Sequence, residues 1–174
     1  MDAKTYLDLV SSRYSTRKFT DEQLTDDELA TLLEAARLAP SAKNTQPLRL
    51  CVVQSPEGLA KINECTKCHY NAPTVLIAAY DKTVSSKGMG VESGDFGDID
   101  VSIALTNLEN AAAAMGLGSC WIGAYDPQAV RARFNVPEHY QLVELFMVGH
   151  SAMEPSPRHF ERQPLDALVV RETF

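Results

Sequence analysis

Arg13 and Arg17 stand four residues apart, with Tyr14, Ser15 and Thr16 between them. At that spacing two guanidiniums can face the same way, and arginine's planar fork suits bidentate binding of a phosphate. A second polar stretch, Ala39-Pro-Ser-Ala-Lys-Asn-Thr-Gln-Pro47, supplies Ser41, Asn44 and Gln46. These amide and hydroxyl groups can read the polar edge of a heterocycle, or simply bond the loop's own backbone. Met115-Gly-Leu-Gly-Ser-Cys-Trp-Ile-Gly123 carries glycines that permit close backbone approach to a ligand. It follows a helical pattern and precedes a strand-like one, the reverse of the order in a dinucleotide fingerprint.

Cys65-Thr-Lys-Cys-His69 matches the attachment string for c-type haem. Covalent haem attachment requires export, and Met1-Asp2-Ala3-Lys4 lacks the basic start and apolar block of a secretory signal. Zinc would need a fourth ligand beyond Cys65, Cys68 and His69, and His139, His150 and His159 show no paired spacing. A redox dithiol is the third option, although activated thiols usually sit at a helix N-terminus and this pair follows a helix. A structural or incidental role is therefore expected. Cys51 and Cys120 lie in apolar runs, where a thiol behaves as a small hydrophobe.

These residues need elements to position them. Tyr6, Leu7 and Val10 predict a short helix over Ala3–Ser12. Thr25 with Glu28 three residues on forms a capping-box signature, followed by Leu29, Leu32, Leu33 and Ala36 at helical spacing. That helix should stop before Pro40. A strand is expected over Arg49–Gln54, and Pro56 opens a helix reaching about Cys65. Thr74–Tyr80 is a continuous apolar run, suited to a strand buried on both faces. After a Gly/Ser-rich loop, an alanine-rich helix should run from about Asp98 to Met115, largely buried and ended by Gly116 and Gly118. Ser119–Gly123 reads as a strand, Asp126-Pro127 caps a short helix to about Phe134, and Gln141–Gly149 is the last long strand. The tail beyond Ser151 carries Leu165, Leu168, Val169 and Val170, apolar enough to wrap another subunit. The pattern is one layered α/β domain spanning residues 1–174, a sheet flanked by helices.

Composition narrows the function classes. The 174 residues are 45% hydrophobic and 22% charged, near the average for a globular domain. A net charge of −7 argues against nucleic acid held by counterion release. No apolar run reaches membrane-spanning length, and a cytoplasmic location is expected. Within this acidic chain Arg13, Arg17 and Lys18 cluster near the start, and Arg158 and Arg162 near the end. Such clusters are either a solvated basic face or a site for an anionic ligand.

Taken in order, five segments resemble the nitroreductase (FMN-dependent oxidoreductase) family. They are residues 13–19 (Arg-Tyr-Ser-Thr-Arg-Lys-Phe), 39–47, 100–108 (Asp-Val-Ser-Ile-Ala-Leu-Thr-Asn-Leu), 116–123 and 162–166 (Arg-Gln-Pro-Leu-Asp). The resemblance covers nearly the whole chain. It implies an α+β fold with a central mixed or antiparallel sheet flanked by helices, a C-terminal tail reaching the partner subunit, and a homodimer with FMN at its interface. Arg13, Tyr14, Ser15 and Arg17 look like the segment holding the flavin phosphate and ribityl chain and reaching the pyrimidine edge. Pro40, Ser41, Ala42 and Asn44 look like the partner's contribution, and Ile122, Gly123 and Ala124 like the backbone near flavin N5. Arg162 resembles the arginine completing the phosphate site, with Arg158 or His159 assisting. NADH or NADPH would donate electrons, nitroaromatics or quinones would accept them, and the flavin, with no side-chain acid or base, would do the chemistry. Specialised reactions of the same family (enoate reduction, dehalogenation, flavin fragmentation) are one alternative, and a non-catalytic FMN sensor or store is another. The chain departs from the family in its short length, which leaves little room for a helical pocket cover. Tyr14 also stands where arginine or histidine is common.

Overall fold

The uninterrupted apolar run at Thr74–Asp81 makes sense once its neighbours are placed, because every residue of that strand is buried. In the computed structural model, which describes residues 2–174, it is a central strand of a four-stranded sheet. The strands are β1 (Leu48–Val53), β2 (Thr74–Asp81), β3 (Gly118–Ile122) and β4 (Tyr140–Gly149), in the order β1-β2-β4-β3. All three pairings are antiparallel. The expected mixed-or-antiparallel sheet thus resolves to antiparallel, and the only parallel bridge among the described residues joins Ser15, outside the four strands, to Ser119 of β3.

Helices cover both faces. On one side α2 (Asp26–Arg37) and α4 (Gly97–Ala114) bury Leu32, Ala36, Val101, Leu105 and Leu108 against Leu76, Phe146 and Val148. On the other, α3 (Pro56–Cys65) and α5 (Pro127–Arg133) bring Ile62, Cys65 and Val130 onto Ile77, Cys120, Leu145 and Met147. Successive side chains of β4 therefore supply both cores, the alternation inherent to a strand. Helix α1 (Ala3–Ser12) packs on α4 and buries none of its residues fully, leaving Tyr6 and Leu7 exposed.

Caps fix where the helices begin. The Thr25 hydroxyl accepts from the Glu28 amide, while the Glu28 carboxylate accepts from the Thr25 amide at 2.8 Å, completing the capping box. Thr25→Ala is expected to cost about 1 kcal/mol of stability, read as a lower urea midpoint at unchanged slope, while Thr25→Ser stays near wild type. At the far end of α4 the chain turns through Gly116, whose φ of 74° is the left-handed cap conformation that glycine adopts without steric cost. Gly118 is required for a different reason, since a Cβ there would lie 2.5 Å from Thr16 Oγ1.

Two expectations need correction. Cys51 does not behave as a buried hydrophobe: β1 is an edge strand, and both Cys51 and Val52 are exposed on it. The strand preceding α5 ends at Ile122, so Gly123 and Ala124 lie in the exposed turn that follows rather than in the ladder. The C-terminal segment, with a single helical turn α6 (Leu165–Leu168), is exposed from Glu161 to Phe174.

Candidate functional site

The N-terminal segment leaves α1 at Arg13 and is stitched across the end of the sheet. The Thr16 amide donates to the Ser119 carbonyl at 2.8 Å, and the Thr20 amide to the His150 carbonyl at 2.9 Å. The Ala152 amide donates back to the Lys18 carbonyl at 2.9 Å. Tyr14 spends its hydroxyl on this seam, donating to the Met153 carbonyl at 2.6 Å and lying 2.9 Å from Ser151 Oγ. Its ring meets His159 edge-on at 6.1 Å, and His159 Nε2 lies 2.7 Å from the Ser11 carbonyl.

These contacts bring the two ends of the chain together. Arg13, Tyr14, Ser15 and Arg17 line a cavity of about 390 Å³ with Ser156, Arg158, His159 and Arg162. Four arginines and a histidine share it, and among the described residues no carboxylate lines it. Among the described residues Arg17, Arg158 and Arg162 make no ion pair, and Arg13 has one, to Glu109 at 3.6 Å. Arg162 turns one nitrogen onto its own loop, donating to the His159 and Glu161 carbonyls. Four converging cations with a single carboxylate between them repel one another, so an anion in the cavity would stabilise the arrangement.

Pro40, Ser41, Ala42 and Asn44 stand elsewhere. Pro40 and Ser41 line a separate cavity of about 300 Å³ with Arg37, Gln46, Leu50 and Asp100. Their loop contains a short 3₁₀ turn, Ala42–Asn44, and Lys43, Asn44 and Gln46 all have φ near +50°, strained for side-chain-bearing residues. Side chains anchor it: the Ala42 amide donates to Asp100 Oδ1 at 2.8 Å, and the Gln46 amide donates to Ser41 Oγ at 2.9 Å. The protomer therefore does not gather the two predicted groups into one pocket. Ile122, Gly123 and Ala124 form the third piece, where β3 runs out beside Glu144 and Tyr125.

A model of the Nitroreductase family matches residues 10–70 and 67–150, most of the chain. The chain belongs to the nitroreductase family. Its fold agrees: a nitroreductase family protein of Clostridium difficile superposes with a TM-score of 0.90 at 30% identity, covering 97% of this chain and 98% of that one. An FMN-bound nitroreductase from Desulfovibrio desulfuricans superposes at 0.81 with 26% identity, covering 97% of each chain. Among curated relatives, an NADH dehydrogenase/NAD(P)H nitroreductase of Archaeoglobus fulgidus is 30% identical over 83% of this chain and 84% of its own length. A Bacillus subtilis protein named FMN reductase [NAD(P)H] is 28% identical over 92% of this chain and 70% of its own length.

In this nitroreductase-family chain the Cys65–His69 string starts at the last residue of α3 and runs into the loop before β2. Cys65 is buried, and burial pushes its thiol above the ordinary range, as it does at Cys120. The Thr66 hydroxyl donates to the Ala124 carbonyl at 2.7 Å and accepts from the Cys68 amide at 3.0 Å. The loop thus braces the turn after β3. Sequence reasoning gave no role to Thr66, nor to Asp100 and Glu109, which lie on α4 and hold the Ser41 loop and Arg13 respectively. The signal available for the last two was a carboxylate in an otherwise alanine-rich helix. Nothing local marked Thr66.

Proposed function

We propose that the chain is an FMN-dependent oxidoreductase passing electrons from NADH or NADPH to small organic acceptors such as nitroaromatics or quinones. The observation carrying this is the cavity where Arg13, Arg17, Arg158 and Arg162 converge without a lining carboxylate, in a chain of net charge −7. A phosphate monoester fits that donor set: dianionic, with oxygens for several charge-assisted hydrogen bonds. The FMN-bound neighbour and the relative named FMN reductase support flavin mononucleotide as the molecule carrying it.

In this reading Arg13, Ser15, Arg17 and Arg162 hold the phosphate and ribityl chain, with Arg158 or His159 beside them, and the Tyr14 ring forms a wall. Pro40, Ser41, Ala42 and Asn44 complete the site of a second copy, which accounts for their separation from the arginine cavity in one protomer. The apolar groups left uncovered fit a homodimer too: Tyr6 and Leu7 on α1, and Leu165, Leu168, Val169 and Val170 on the tail, which would pack on the partner. Ile122, Gly123 and Ala124 present backbone to the reactive edge of the ring, braced by Thr66. Bound FMN would supply hydride transfer, and the protein would bind it, orient it and limit access of water.

The first test is the absorption spectrum of the purified protein before and after adding FMN and desalting. Flavin retained near 1:1 and bleached anaerobically by NADH or NADPH is expected. Parallel initial-rate lines should follow, because donor and acceptor use one face of the flavin in turn. Loss of all flavin on desalting would remove the ground for a reductase, and retention without bleaching would indicate a flavin-binding protein without turnover.

A further inference from the structure

Glu144 is a half-buried carboxyl for which β4 gives up regular pairing. Ala78 of β2 pairs with Glu144 but Ala79 pairs with Leu142, leaving Val143 as an extra residue. A bulge re-aims the side chains next to it, and bulges concentrate beside functional sites. Here it sets Glu144 against the turn after β3: a methyl on Gly123 would lie 3.4 Å from Glu144 Oε1. No hydrogen bond or ion pair satisfies this carboxyl among the described residues. An uncompensated half-buried acid costs stability, so its position invites a functional account.

We propose that Glu144 is a potential-setting residue, its charge opposing reduction of the flavin beside Gly123. The inference rests on the placement of FMN proposed above. Two-electron reduction of the flavin with uptake of one proton adds one negative charge to the ring. A carboxylate facing the adjoining backbone repels that charge and lowers the reduction potential, whereas a protonated Glu144 does not. Burial holds the Glu144 carboxyl above the ordinary carboxylate range. Tyr125 after β3 is pushed to about 12, by burial first and then by Glu144, and stays neutral. Asp98 on α4, itself raised by burial and then by Asp95, acts on the same phenol. From β2 come Ala78, opposite Glu144, and, two residues on, Tyr80, a phenol that stays neutral, pushed to about 12 by burial first and then by Asp98.

The test is the potential of the FMN-loaded protein from pH 5 to 9, for wild type, Glu144→Gln and Glu144→Asp. The glutamine variant should lie above wild type at pH 8–9 by about tenfold in the reduction equilibrium, equal to about 30 mV for two electrons. The offset should shrink toward low pH, as wild-type Glu144 takes up a proton. Glu144→Asp should keep a pH-dependent offset, which a merely structural disturbance would not preserve. Glutamine and wild-type curves coinciding across the range, with FMN bound 1:1, would overturn the role of Glu144 and leave the FMN reading standing. Absence of FMN binding by wild type would overturn both.

Discussion

Arg13→Ala is expected to weaken FMN retention by about 1.5–3 kcal/mol, roughly 10- to 150-fold in Kd, through loss of a charge-assisted phosphate contact. Arg17→Ala should do the same, but only Arg13→Ala should also destabilise the fold. Among the described residues Arg13 is the one cavity arginine with an ion-pair partner, and that partner, Glu109, keeps only 12% of its side-chain surface exposed. Removing one member of a fully buried pair typically costs about 3–5 kcal/mol, and this pair, with Arg13 27% exposed, should cost about 1–3 kcal/mol at neutral pH. The pH dependence identifies the cause. Burial pushes the Glu109 carboxyl up, while Arg13 and then the Trp121 side chain hold it down. Without Arg13 it rises further, so the folded protein takes up a proton that the unfolded chain has already released. The variant therefore loses stability relative to wild type as pH rises from the ordinary carboxylate value through Glu109's folded value. Denaturant titrations at pH 5 and pH 8 measure the difference. Arg13→Ala/Glu109→Gln should remove that pH-dependent loss and leave the FMN defect. Equal FMN affinity in the single variant and wild type would place the phosphate elsewhere.

That pairing illustrates what could be read beforehand. Arg13 and Arg17 were legible because four-residue spacing and residue type are properties of one segment, and their meeting with Arg158 and Arg162 followed from the family likeness. The capping box at Thr25 and the doubly buried β2 were legible for the same local reason. The partner of Arg13 was not. Glu109 lies 96 residues away on α4, and which carboxylate of a helix faces a loop depends on the rotation of that helix against the sheet. Cys51 failed similarly: its run is apolar, but whether a strand is central or at an edge is set by strand order, which alternation does not encode. The bulge at Val143 left no composition signal, since one extra residue in a strand is visible only in the register with β2. Thr66 was hidden by its more conspicuous neighbours, the two cysteines. Side chains that hold other residues in place are chosen by tertiary contact, and short-range pattern cannot find them.

Phe146→Ala should be the most damaging single change to the protomer, at about 3–5 kcal/mol. Phe146 is fully buried at the centre of β4, paired with Leu76 of β2 on one side and Trp121 of β3 on the other. Its ring meets Trp121 edge-on at 6.1 Å and packs beneath α4. A typical domain has about 5–15 kcal/mol in total, so the variant should unfold at a much lower urea concentration. Circular dichroism is the suitable probe, because the only tryptophan is itself the neighbour being disturbed. The effect should reach the site by a short path. The Trp121 side chain helps keep the Glu109 carboxyl down, and Glu109 pairs with Arg13 at 3.6 Å, so a cavity under Trp121 should loosen the arginine without removing it. FMN retention should fall, but by less than in Arg13→Ala, and Phe146→Leu, which refills most of the volume, should recover much of both losses. A cost below about 1 kcal/mol would contradict the packing of α4 on the sheet. A full loss of stability with FMN affinity unchanged would show that the chain from Phe146 through Trp121 and Glu109 does not position Arg13.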